Sequence, residues 1–235
     1  MDRRTFIERL GGAVAVRSGI VHAQRDDGYY RNPRVTTPLI QYWEVETRET
    51  NRIQLRVRGV DLGDAYATTL IYKDTRLTET LNERLRRDFD GIVGAFIATR
   101  ITFESPLSAF AQPSLVEGLA KRRFERTARN RGFSRLRERN TAERETTREQ
   151  ATAEYDAYYS IGRYTETPPP NIDRFPGIGR DDRVKTVLYF DVSRSGGSLL
   201  LTTGVRPTNQ LLQTVLNRDS DAYRRELLQL MHSVR

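Results

Sequence analysis

The chain of 235 residues contains no cysteine and only two histidines, His22 and His232. The first absence excludes disulfides, thiolate metal centres, cysteine nucleophiles and a lipid-modified cysteine. The second leaves a histidine-based metal site or catalytic triad almost nothing to draw on, so neither a metal nor a cofactor is expected. Lysine is nearly missing as well: of 39 basic residues only Lys73, Lys121 and Lys185 are not arginine. After the N-terminal segment no stretch reaches the ~18–20 apolar residues that a membrane-spanning helix requires.

What is present suits one folded domain. The hydrophobic fraction of 37% and charged fraction of 30% lie on the polar side of globular averages, but the apolar residues are grouped in periodic runs, and the length allows a sizeable core. The net charge of +8 raises the question of a polyanionic partner. Because acidic residues interleave with arginines, as from Arg135 to Glu149, the excess is expected to be spread thinly over the surface rather than gathered into a nucleic-acid footprint.

The N-terminus reads as an address. Arg3 and Arg4, followed by Phe6 and Ile7, form the paired-arginine pattern of twin-arginine export signals. A weakly apolar stretch from Leu10 to Val21, interrupted by Arg17, leads to Val21-His22-Ala23, after which Gln24 would begin the mature protein. The competing reading is an amphipathic first helix carrying Phe6, Leu10 and Val14, which would leave the protein cytoplasmic. Against it stands Gly11-Gly12, a poor helix interior. The expected organisation is a signal peptide over 1–23, a flexible leader over 24–36 and a single domain over 37–235.

Within that domain the residue periods predict strands over 39–46, 52–58 and 66–72, with a turn at Asp61 to Asp64. Leu77, Leu81 and Leu85 predict a helix over 75–87. Val93, Ala95, Ile97, Ile101 and Phe103 predict the inward side of a strand over 92–103. Ser114 with Glu117 reads as a capping box for a helix that stops near Gly132. The charged middle of residues 133–159 suits either a solvated helix or an exposed hairpin, and the hairpin is favoured because Ala151, Ala153, Tyr155, Ala157 and Tyr159 alternate with polar residues. A proline-rich loop follows over 164–183. Strands over 184–192 and 199–205 pair across Gly196-Gly197, and Ser220 caps a last helix. The sum is an α+β fold, a mainly antiparallel sheet with about three helices on one face and a helix at the C-terminus.

Three segments carry a resemblance to a known group: Arg3-Arg4-Thr5-Phe6-Ile7, Gly94-Ala95-Phe96-Ile97-Ala98-Thr99-Arg100, and Leu200 to Pro207 with Tyr223-Arg224-Arg225-Glu226-Leu227-Leu228. In these the chain resembles uncharacterised haloarchaeal proteins that are exported by the twin-arginine route, often lipid-anchored, and built on one α+β domain. The resemblance implies export and that fold, and it offers no catalytic residues. It differs from those proteins in being basic and in lacking the cysteine that anchored members use.

Motifs with chemical potential are few. Gly177-Ile178-Gly179 precedes a strand rather than a helix, so it does not form a phosphate loop. Ser195-Gly196-Gly197-Ser198 reads as a hairpin turn, not a nucleophile elbow. Glu44, Glu46, Glu154 and Asp156 are the carboxylates that could serve a glycosidase. Tyr155, Tyr158, Tyr159, Arg163 and Tyr164 gather near the proline loop, where aromatics beside arginine could stack on a sugar, a base or a partner. The expectation is therefore an exported envelope protein that binds or scaffolds rather than catalyses. Its partners would be the twin-arginine translocation machinery and an envelope partner or glycan. The alternatives are a cytoplasmic basic protein associated with nucleic acid and an extracytoplasmic hydrolase.

Overall fold

The computed structural model describes residues 30–57, 60–85, 94–104, 113–139, 153–160 and 183–235. Seven strands form one antiparallel sheet: β1 (Trp43–Val57), β2 (Val60–Asp74), β3 (Ala95–Phe103), β4 (Phe133–Glu138), β5 (Ala153–Ser160), β6 (Arg183–Ser195) and β7 (Ser198–Pro207). Their spatial order is β1-β2-β3-β7-β6-β5-β4, so two meanders are joined where β3 pairs with β7. Among the described residues the helices are α1 (Thr75–Leu85), α2 (Pro113–Asn130), α3 (Asn209–Leu216) and α4 (Ser220–His232), with a 3-10 turn at Pro38–Tyr42. The chain is α+β and rich in strand, with the expected C-terminal helix.

Helices cover both faces of the sheet, where one was expected. On the first face Ala120, Phe124 and Ala128 of α2 pack on Tyr155, Leu188 and Phe190. On the second, Tyr223, Leu227, Leu228 and Met231 of α4 pack on Phe96, Val187 and Leu200, and α3 adds Leu212. α1 joins α3 on that side. The central strands explain the difference, because Ala95-Phe96-Ile97-Ala98, Val187-Leu188-Tyr189-Phe190 and Leu199-Leu200-Leu201 are apolar on both parities. Phe96 and Ala98, which the inward set omitted, are the residues that meet α4. The helix can come close because β7 has Gly204 beneath it: a Cβ there would lie 2.8 Å from Leu227 Cδ2 and 3.0 Å from Met231 Sδ.

Local readings fare unevenly. The β6–β7 hairpin turns at Gly196, whose φ of 61° suits the glycine, and Gly132 ends α2 at φ 91°. The two strands predicted over 39–58 are one that starts at Trp43, because residues 39–42 belong to the 3-10 turn and Thr47 to Asn51, although polar, pair with Ile71 to Ala67 of β2. The reversal lies between the paired residues Val57 and Val60, so Asp61 to Asp64 belong to β2 rather than to a turn. A bulge between Val45 and Thr47 switches the parity of β1, so that Trp43 faces α4 while Ile53 faces the other core. α2 begins at Pro113, which suits a first helical position, and Ser114 therefore lies inside the first turn instead of capping it. The cap of α4 is Asp219, whose side chain accepts from the Ala222 amide at 3.3 Å.

The leader expected over 24–36 is docked in its last part. Tyr30 meets the Tyr66 ring edge-on at 5.0 Å. Arg34 and Arg235 exchange two backbone hydrogen bonds of 2.8 Å, Val35 bridges Val234, and the Thr36 amide and hydroxyl both donate to the Ser233 carbonyl.

Candidate functional site

The tyrosines that the sequence gathers are separated by the strand that carries them. Tyr155 and Tyr159 point into the α2 core, 2% and 5% exposed, where the Tyr155 hydroxyl donates to Glu125 at 3.0 Å and Tyr159 packs on Phe133. Tyr158 points the opposite way and is half-buried. The Arg135 guanidinium lies 5.5 Å from its ring centre, and exposed Lys185 is its cross-strand neighbour. Arg135 reaches it because β4 is bulged there, with Arg135 in the left-handed region at φ 53°. Arg163, Tyr164, the proline loop over 164–182 and the export residues Arg3, Arg4 and Phe6 lie outside the described residues.

Next to Tyr158, on the same face, the carboxylates proposed for catalysis are engaged by arginines. Glu154, 2% exposed, receives Arg224 Nη2 at 3.0 Å and faces Arg139 at 3.7 Å. Arg139 grips Asp156 with Nη2 at 2.8 Å and Nε at 3.3 Å. Arg206 donates to Tyr189 Oη at 2.8 Å and to Ser220 Oγ at 3.0 Å, tying the start of α4 to β6 and β7. Burial raises the Tyr189 hydroxyl above its ordinary pKa. Glu44 and Glu46 are exposed on β1, at the far edge of the sheet from β5. The four acids are thus not brought together. The pair that is close fastens β4 and β5 to α4, a structural clamp rather than an acid and a base.

A second network, missed from the sequence, lies on the β1–β2 side of α4. Tyr223 Oη donates to Asp74 Oδ2 at 2.9 Å, and Arg76 bridges Asp74 at 3.1 Å and Glu226 at 2.6 Å. Trp43 Nε1 donates to Glu226 Oε1 at 3.2 Å. Glu226 Oε2 accepts no hydrogen bond, but Arg218 answers its charge at 2.5 Å. Burial pushes the Glu226 carboxyl up, yet Arg76, Trp43 and Arg218 outweigh it and hold it below its ordinary value of 4.5. Its contribution to stability is therefore complete above that value and lost as pH falls through and below it. Glu226→Gln should melt below wild type at neutral pH, with the gap narrowing under acid. A constant gap from pH 7 to pH 3, roughly the range in which carboxylates titrate, would show that these ion pairs contribute nothing.

Charge is not spread thinly, contrary to the expectation from composition. Residues 113–139, which are α2 and β4 with their connection and the following Arg139, hold nine basic and three acidic residues, a net +6 out of +8 for the chain. Arg122, Arg126, Arg129, Arg135 and Arg137 in this unit are exposed. Among the described residues no group of three or more His, Cys, Asp or Glu is placed to hold a metal, and no helix is long and apolar enough to cross a membrane.

No curated protein and no solved structure matches the chain. Residues 38–235, from the 3-10 turn through α4, match one family, described as a domain of unknown function, and on that match the chain belongs to the DUF6517 family.

Proposed function

We propose that this is an exported, envelope-associated binding module without catalytic activity, and that its contact surface lies on the outer side of β4–β6. The observation that carries the reading is the contrast on that surface. Glu154 and Asp156 are committed to Arg224 and Arg139, whereas Tyr158, Arg135 and Lys185 present a ring flanked by two cations to solvent. Such a group stacks on a sugar or a planar side chain and neutralises an acidic substituent. Export rests on the paired arginines and on the small-residue site ending at Ala23.

Cell fractionation tests the address. The mature chain should begin at Gln24 outside the cytoplasm, and Arg3→Lys with Arg4→Lys should retain a precursor that keeps Met1. A wild-type chain that stays inside with Met1 intact defeats the reading. It would favour a cytoplasmic nucleic-acid-associated protein, the second reading, for which the net +6 of residues 113–139 is the supporting observation.

A further inference from the structure

We propose that the outer side of α2 docks electrostatically on anionic phospholipid headgroups. The surface differs from the Tyr158 group, and it takes from the envelope reading only that a membrane is at hand. The rotation of α2 about its axis is fixed by what it buries: Ala120, Phe124 and Ala128 pack on the sheet. Arg122, Arg126 and Arg129, at i, i+4 and i+7, are thereby turned outward in one row, and all three are exposed. Acids do not cancel the row. Glu125 turns inward to accept the Tyr155 hydroxyl and reaches Arg129 only at 3.8 Å, while Glu138 is taken by Lys121 at 2.6 Å.

Two observations choose lipid headgroups over nucleic acid. Among the described residues, the exposed positions of α2 are Glu117, Gly118, Arg122, Arg126, Arg129 and Asn130, with no aromatic on which an unpaired base could stack. Moreover, a straight row on the outside of a helix meets a plane of phosphates along its whole length, and guanidinium forks suit phosphate oxygens. The apolar side of α2 is already spent on the core, so attachment involves no insertion and must weaken with salt.

The test is co-sedimentation of the purified full chain with vesicles of mixed phosphatidylcholine and phosphatidylglycerol, with pure phosphatidylcholine as the comparison. Binding to the mixed vesicles alone, falling with added salt, is expected. At about fivefold per arginine, the triple variant Arg122→Ala, Arg126→Ala, Arg129→Ala should partition on the order of 100-fold less. Its melting curve should match wild type, and Arg122→Glu with Arg126→Glu gives a second variant should the first misfold. Absence of binding to the mixed vesicles, or binding undiminished in a folded variant, overturns the proposal. So does tighter binding to duplex DNA at equal phosphate concentration, which would assign the row to nucleic acid. Cytoplasmic retention would defeat the envelope reading while leaving the vesicle result standing, so the two failures are distinguishable.

Discussion

Leu227→Asp will leave the chain without a cooperative melting transition. Leu227 is fully buried, its Cδ2 and Cγ each 2.8 Å from the point where a Cβ on Gly204 would sit, and it shares its cluster with Phe96, Val187, Tyr189 and Leu200. Losing the leucine from such a site costs about 2–5 kcal/mol. Burying a carboxylate in its place adds several more, since the group must either ionise among apolar side chains or hold a proton at neutral pH. The sum approaches the ~5–15 kcal/mol by which domains of this kind are stable. The check is near-ultraviolet circular dichroism on heating, with Leu227→Met as the volume-conserving control. A normal sigmoidal melt for the aspartate would mean that α4 is not docked on β7.

Asp74→Ala is expected to cost about 2–4 kcal/mol, the sum of a lost cap and an orphaned hydroxyl. At the N-terminus of α1, Asp74 Oδ1 accepts from the Arg76 and Leu77 amides at 3.1 and 3.4 Å. Its Oδ2 accepts the Tyr223 hydroxyl at 2.9 Å in full burial, where burial and the Asp74 charge drive the tyrosine pKa well up. With the carboxylate gone, that hydroxyl has lost its acceptor and Arg76 retains only Glu226 of its two acids. A fall in melting temperature of roughly 5–15 °C follows for a chain of this size. Asp74→Asn keeps an acceptor and a capping oxygen and should recover part of the loss. If Asp74→Ala melts within about 2 °C of wild type, the network between α1 and α4 is incidental to stability.

The sequence made the separate pieces legible better than their arrangement. Leu77, Leu81 and Leu85 mark α1, and the alternation over 153–159 marks β5, because each pattern is a local period that the fold then uses. The same alternation contained a correction to the proposed site. With side chains pointing to opposite faces at every step, Tyr155 and Tyr159 cannot share a surface with Tyr158. The engaged state of Glu154 was not legible, for Arg224 approaches it from 70 residues away. α3 was missed because Asn209 to Leu216 carries no charge and Thr208 makes no side-chain cap. The basic unit could have been found by counting charge element by element. A window from Arg135 to Glu149 crosses out of β4 and past Arg139 into a stretch of three acidic and two basic residues and so conceals that the preceding helix and strand are basic.

The bridge between the leader and the last residues governs the order in which the protein can be completed. Thr36 reaches Ser233 across 197 residues of chain, and the sheet itself closes only when Ala95 of the first meander finds Val205 of the second. Neither contact is possible before its distant partner, Val205 or Ser233, has been made. The early strands must wait with β3 uncovered along one side, and residues 34–36 lack their pairing partners until residues 233–235 exist. Contacts so distant along the chain place this fold among slow folders, in the millisecond-to-second range or beyond. During that interval an exposed β3 is open to wrong partners. Under the export proposed above, the waiting time before closure sets how long the chain needs protection.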